Sequence, residues 1–168
     1  MKKCEKCQKF AHQIHQPARE LLPLTRPWPF AMWGLDIVGP LPPAPGNRKF
    51  FITETDYFTK WVEAEALASI KEKDVKKFVW QNIITRFGIP KALVSDNSTQ
   101  FDGRIFRGFC EEYKIEFYNS TSAYPQDKGQ VEASINVILD GLKKRLEKAK
   151  GKWAEELPHV LWAYRTSP

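Results

Sequence analysis

Residues 91–101, KALVSDNSTQF, set a short apolar run, Ala92-Leu93-Val94, one residue before an aspartate that is followed at once by an asparagine and two hydroxyl residues, Ser98 and Thr99. A run this short, following Gly88-Ile89-Pro90, reads as a buried strand. The C-terminal ends of such strands are where α/β sheets gather their chemistry. Asp96 therefore stands where a metal or a substrate could be held. An Asp-Asn pair after a strand also suits the cap of a following helix, so the choice depends on whether other carboxylates join it.

Outward from this strand the chain alternates between two periods. Downstream come a helix near Gly103 to Tyr113, a short strand at Ile115 to Tyr118, a loop NSTSAYPQDKG, a long helix from about Gln130 to Lys148 and a last amphipathic helix from Trp153 to Tyr164. Pro158 falls inside that last span and is expected to kink or break it. Upstream, AMWGLDIVGP (31–40) is a strand ended by Gly39-Pro40, and FFITETDYFTKWVEAEAL (50–67) is two β-rich runs around Asp56-Tyr57, a hairpin. From Lys71 to Phe87 the residues Val75, Phe78, Val79, Ile83 and Phe87 repeat at helical spacing, and Gly88 and Pro90 end the segment. The order βββαβαβαα describes an α/β fold, a mixed sheet with helices packed on it. The first thirty residues scatter prolines at 17, 23, 27 and 29 where regular structure needs amide donors, so the compact domain is expected to begin near Phe30.

A chain of 168 residues with 42% hydrophobic and 13% aromatic residues suits one folded domain with a sizeable core and excludes a disordered chain. MKKCEKCQKF lacks the apolar centre of a signal peptide, and the apolar runs are too short to span a bilayer, so the expectation is a soluble intracellular protein without a membrane partner. Three cysteines argue against a disulfide framework. The net charge of +6 suits a polyanionic partner. Lys143, Lys144, Arg145, Lys148, Lys150 and Lys152 face a single acid, Glu147, in one short stretch, which reads either as a phosphate-lining surface or as a solvated helix face.

Two further acids bear on Asp96. Asp36 stands in the middle of the first strand run, on the face of Gly34 and Val38, and a carboxylate in so apolar a segment is costly unless it is paired or holds a metal. Glu132 lies in the first turn expected for the long helix, where an acid also suits the helix dipole. Asp96 follows Asp36 by 60 positions and Glu132 follows Asp96 by 36. With these residues in place, WGLDIVGPLP, DYFTKWVEAEAL, FGIPKALVSDNSTQF, GQVEASINVIL and LPHVLWAYRTSP together resemble the integrase of gypsy-type long-terminal-repeat retrotransposons, relatives of the retroviral integrases.

The resemblance implies a ribonuclease H-like fold, a five-stranded mixed sheet flanked by helices, with an Asp-Asp-Glu triad that falls here on Asp36, Asp96 and Glu132. It implies an enzyme, a polynucleotidyl transferase working in the nucleus, that processes the ends of element DNA and joins them to target DNA. Its cofactors would be two Mg2+ or Mn2+ ions held by the triad, since carboxylate oxygens select hard cations. Its partners would be double-stranded DNA and further copies of the chain. Around the axis of the long helix Asn136 and Lys143 fall near Glu132, which makes them DNA-contact candidates with Asn97 and Gln126, whereas Val131, Ile135, Ile138 and Leu142 form a core stripe.

The chain departs from the family pattern at several places. Cys4 and Cys7 resemble half of the family's His-His-Cys-Cys zinc module; His12 and His15 follow at a spacing too tight for an ordinary finger, so residues 1–29 are read as a remnant of that module with a linker and 30–168 as the catalytic core. Ser98 stands where the family has glycine, Tyr124 where it has histidine, and Ile135 where an asparagine usually follows the glutamate by three. These changes are expected to weaken activity before they weaken the fold. The alternative readings are an inactive nucleic-acid-binding fragment and a nuclease of the same fold.

Overall fold

Alternation along β1 (Met32–Val38) sends Trp33, Leu35 and Ile37 to one side of a sheet and Met32 and Val38 to the other, and each side meets its own helical layer. The computed structural model describes residues 28–95, 101, 103–119, 125–146 and 152–166, with the backbone alone at 119, 125–132, 145 and 146. β2 (Phe50–Asp56) and β3 (Val62–Leu67) form the expected hairpin, and β4 (Ala92–Ser95) and β5 (Glu116–Asn119) complete a five-stranded sheet in the order β3-β2-β1-β4-β5. The first three strands are antiparallel; β4 runs parallel to both β1 and β5.

One layer begins with α1 (Glu72–Phe78), continues through a π-helical turn (Val79–Ile84) into α2 (Thr85–Phe87), and adds α3 (Arg104–Glu112). Val75, Phe78, Val79 and Ile83 pack with Phe106, Phe109 and Cys110 onto Trp33, Leu35, Ile52 and Leu93. The helical period over 71–87 is thus observed, but its middle widens into a π turn that the apolar spacing does not reveal. Gly88 stops the segment at φ 91°, a left-handed value that costs glycine little. Glu72 caps the neighbouring helix: its Oε2 accepts the N–H groups of Ile105 at 2.7 Å and Phe106 at 3.3 Å, orphan donors that Gly103, the residue before α3, has no side chain to satisfy.

The other layer is α4 (Pro125–Leu146) and α5 (Trp153–Thr166). α4 begins five residues before the expected start. Pro125 is its first residue, a position where proline gives up no hydrogen bond and its fixed φ suits the helix, so what read as loop is a helix start. Pro158 does not break α5; it sits on the exposed side of a helix that continues to Thr166, while Trp153, Leu157, Val160 and Leu161 are buried against Phe51, Val62, Ile138 and Leu142. Gly141 allows the two helices to approach, since a Cβ there would meet Val160 Cγ1 at 2.8 Å. Ser134 and Tyr164 join them by a 3.1 Å hydroxyl contact. Among the described residues no helix is long and apolar enough to cross a membrane.

The edge strand β3 is held by ions as well as by its ladder. Glu63, buried, takes Arg86 Nη1 at 2.7 Å and Arg165 Nη2 at 2.8 Å on Oε2, and Trp61 Nε1 donates to its Oε1 at 2.7 Å. Arg165 also donates to the Val62 carbonyl from Nε at 3.0 Å and lies 4.6 Å from the centre of the Trp61 ring, which fastens the last turn of α5 to the sheet. Glu63→Ala is expected to destabilise the chain by about 2–3 kcal/mol, somewhat below the usual loss for a broken buried pair because Arg86 can turn to water. Urea unfolding of the two proteins checks this; equal midpoints would show that the bridges contribute nothing net.

Candidate active site

Asp36 is the fifth residue of β1, the strand at the centre of the sheet, and shares its side with Met32 and Val38, the side covered by α4. Its carboxylate is half-buried, and Oδ1 accepts the Ile37 N–H at 2.7 Å, a bond that turns one oxygen along the strand. The ladders end beside it. Leu35 pairs with Ser95, the last residue of β4, and Ser95 pairs in turn with Asn119 at the end of β5. The C-terminal ends of β1, β4 and β5, three strands running in the same direction, therefore lie side by side, with Asp36 on β1 next to the end of β4, the crevice where open α/β sheets hold ligands.

Asp96 is the residue after Ser95 and lies, with Asn97 and Ser98, outside the described residues, as does Tyr124. Glu132 is in α4, but because that helix starts at Pro125 it is the eighth residue rather than a first-turn acid, so proximity to the helix dipole does not account for it. Its side chain and that of Gln126 lie outside the described set. The turns that follow are described: Ile135 is buried with Met32, Ala92 and Val94, and Leu139 packs against the same group, which seats α4 across β1 and β4. Ile138 and Leu142 are buried as the stripe requires, and Asn136 and Lys143 are exposed. Ile135 is thus a core residue, and an asparagine there would bury its amide.

The described cations of the basic stretch sit at the surface. Lys143, Lys144 and Lys152 are exposed; Lys143 lies 3.5 Å from Asp140, a contact between two side chains largely open to water. Cys4, Cys7, His12 and His15 lie outside the described residues. Among the described residues no three His, Cys, Asp or Glu side chains come together to hold a metal, and Asp36 is the one triad member whose carboxylate is described.

Two polar neighbours were not singled out from the sequence. Thr53 is the direct cross-strand partner of Asp36, fully buried, with a hydroxyl that has no hydrogen-bond partner. Glu54, the next residue, points to the opposite side and is likewise fully buried. The signal was present in TETD, a polar run between apolar ones, but only knowledge that β2 is an interior strand turns it into buried polar groups.

Against known proteins, the model of the integrase core domain family matches residues 26–125. The Gag-Pol polyprotein of Koala retrovirus is 33% identical over 141 residues, 83% of this chain and 8% of that protein. The Pol polyprotein from transposon 412 of Drosophila melanogaster is 25% identical over 133 residues, 79% of this chain and 11% of that protein. The chain therefore spans about a tenth of these relatives. Among solved structures, the catalytic core domain of BIV integrase aligns with a TM-score of 0.68 at 19% identity, covering 82% of this chain and 85% of that one. The HTLV-2 integrase catalytic core domain in complex with magnesium aligns in its trimeric form with a TM-score of 0.63 at 21% identity, over 80% and 84% of the two chains. The fold is ribonuclease H-like, and with its family model matching more than half of its length the chain belongs to the integrase core domain family.

Proposed function

We propose that the chain is the catalytic core of a DNA integrase and that Asp36, Asp96 and Glu132 are its catalytic residues. The observation that carries this is the position of Asp36 on the central strand, one residue past the point where its ladder with β4 stops, next to the end of β4, whose following residue is Asp96, and on the side covered by α4, which carries Glu132. Carboxylate oxygens are the donor type that hard divalent cations take, so Mg2+ or Mn2+ fits the set, and such ions stabilise charge on attacking and leaving oxygens in phosphoryl transfer. Asp36, fixed by the Ile37 N–H, would hold its carboxylate in one orientation while water cleaves the end of the element DNA and the freed 3′-hydroxyl attacks a target phosphate. The related HTLV-2 core in complex with magnesium supports the choice of ion. In this reading residues 30–168 are the core, residues 1–29 with Cys4 and Cys7 belong to a neighbouring zinc module, the chain acts on nuclear DNA, and several copies assemble on it.

The deciding experiment supplies a pre-processed DNA end and target DNA with magnesium, with manganese or with a chelator, and an RNA–DNA hybrid in parallel. Metal-dependent joining supports the integrase reading. Cleavage of the hybrid without joining would transfer the site to a ribonuclease activity. Binding of DNA without either reaction would leave a nucleic-acid-binding core.

DNA would cross the exposed side of α4, with Asn97, Gln126, Asn136 and Lys143 among its contacts. Lys143→Glu is expected to weaken DNA binding and reduce the slope of log K against log salt by about one. The melting temperature should stay near that of the wild type, since the pair with Asp140 is open to solvent. A salt titration with an unchanged slope would put the DNA elsewhere on the surface.

A further inference from the structure

β2 lies between β1 and β3 and is covered on both sides, so each of its residues from Phe51 to Asp56 is buried. Of its four polar side chains there, Asp56 accepts the N–H groups of Phe30 and Thr59 and the Thr59 hydroxyl, whereas the hydroxyls of Thr53 and Thr55 and the carboxyl of Glu54 have no hydrogen-bond partner. Glu54 has no exposed surface. Its direct partners in the sheet are Leu35 on β1 and Glu63 on β3. Arg86 and Arg165 both bind Glu63, which leaves Glu54 opposite a carboxylate whose counter-ions are already engaged.

We infer that Glu54 is a proton-linked latch: the folded chain holds it as the neutral acid, and its ionisation as pH rises loosens the layer of α1 to α3 from the sheet. An isolated buried carboxylate is far costlier than a buried neutral acid, so the proton is retained as long as the layer stays closed. Burial, and then the charge of Glu63, push the Glu54 carboxyl well above the ordinary carboxylate range. Among the described residues the charged and titratable groups around it offer no relief. From β3 come Glu63 and Glu65, the latter bonded to Asn82 of the π turn at 3.1 Å; from α2 and α5 come the arginines on Glu63; and from α3 comes Cys110. The Cys110 thiol is itself pushed up to about 12, by burial first and then by Glu54, with Arg107 of α3 lowering it and Glu111 raising it, so it stays a neutral thiol beside Glu54.

The direction of the pH effect follows. Between the ordinary carboxyl value and the raised one, the folded chain carries one proton more than the unfolded chain, so folding weakens as pH rises across that interval. Below it the full stability is present. Above it the loss is complete.

The test is urea unfolding of the 168-residue chain and of Glu54→Gln and Glu54→Ala from pH 5 to 9, with alkylation of Cys110 followed by peptide mass spectrometry at each pH. The wild-type folding constant should fall by up to about tenfold per pH unit within the interval, and both variants should lack that component. Cys110, buried in the same cluster, should become more reactive relative to Glu54→Gln as pH rises, a ratio that removes the intrinsic pH dependence of the thiol. Glu54→Ala removes the orphaned oxygens and keeps the test open should the glutamine variant fold poorly. Parallel pH slopes in wild type and a folded variant would overturn the inference, as would Cys110 protection that stays equal while stability falls.

Discussion

Asp36→Asn is expected to reduce metal-dependent DNA joining by at least about a hundredfold, because a lost carboxylate ligand removes a few kcal/mol of charge stabilisation and each 1.4 kcal/mol is tenfold in rate. The fold should not suffer. Asparagine retains a side-chain oxygen for the Ile37 N–H, which donates to Asp36 at 2.7 Å, and it occupies nearly the same volume opposite Thr53. A charge that must otherwise be desolvated disappears as well, so without metal the variant should melt at or slightly above the wild-type temperature. Added magnesium or manganese should raise the wild-type melting temperature by mass action on the native state, and Asp36→Asn should show much less of that rise. The two readouts separate the roles: a variant that joins DNA at the wild-type rate removes Asp36 from the site, and one that loses joining but keeps the full metal shift removes it from the ligand set.

Trp153→Ala should produce the largest loss of stability, about 3–5 kcal/mol, or roughly 10 °C in melting temperature for a chain of this size. Trp153 opens α5 and is 1% exposed. Its ring centre lies 6.2 Å from that of Phe51 on β2, and its indole N–H donates to the Pro42 carbonyl at 2.7 Å, across the loop that joins β1 to β2. Truncation therefore leaves a cavity between α5 and the sheet and an acceptor without its donor. Trp153→Phe keeps most of the apolar contact and loses the hydrogen bond, so it should cost about 1–2 kcal/mol. Calorimetry on the three proteins checks the order; a Phe variant as damaged as the Ala variant would assign the effect to the Pro42 bond instead of the packing.

The two layers explain how much of the site could be read in advance. Asp36 was legible because one carboxylate interrupts an apolar strand, and its side of the sheet followed from alternation, as the contacts of Met32 and Val38 with the α4 layer bear out. The stripe of Ile135, Ile138 and Leu142 was legible for the same kind of reason at a different period, and all three are buried. The start of α4 was not. A proline reads locally as a break, yet at the first position of a helix it is favourable, and the two cases look alike until the following turns are seen to pack. Pro158 shows the same ambiguity inside a helix, where the apolar contacts of Trp153, Leu157, Val160 and Leu161 outweigh one missing backbone bond.

The sequence by itself determined the elements and their apolar sides, because periods of 2 and 3.6 depend only on which neighbours along the chain are apolar. It determined the place of Asp36 in a strand and, through its motifs, the family to which the family model also assigns the chain. Only the tertiary structure decided the sheet order, and with it which polar side chains lose water. Glu54 and Glu65 are both acids within strands, but β2 is an interior strand and β3 an edge, so Glu54 is sealed without a hydrogen-bond partner while Glu65 is half-buried and reaches Asn82. Likewise Glu63 gains Arg86 and Arg165 from segments 23 and 102 positions away in sequence, a meeting that depends on how two helices close over one edge of the sheet and that no local pattern contains.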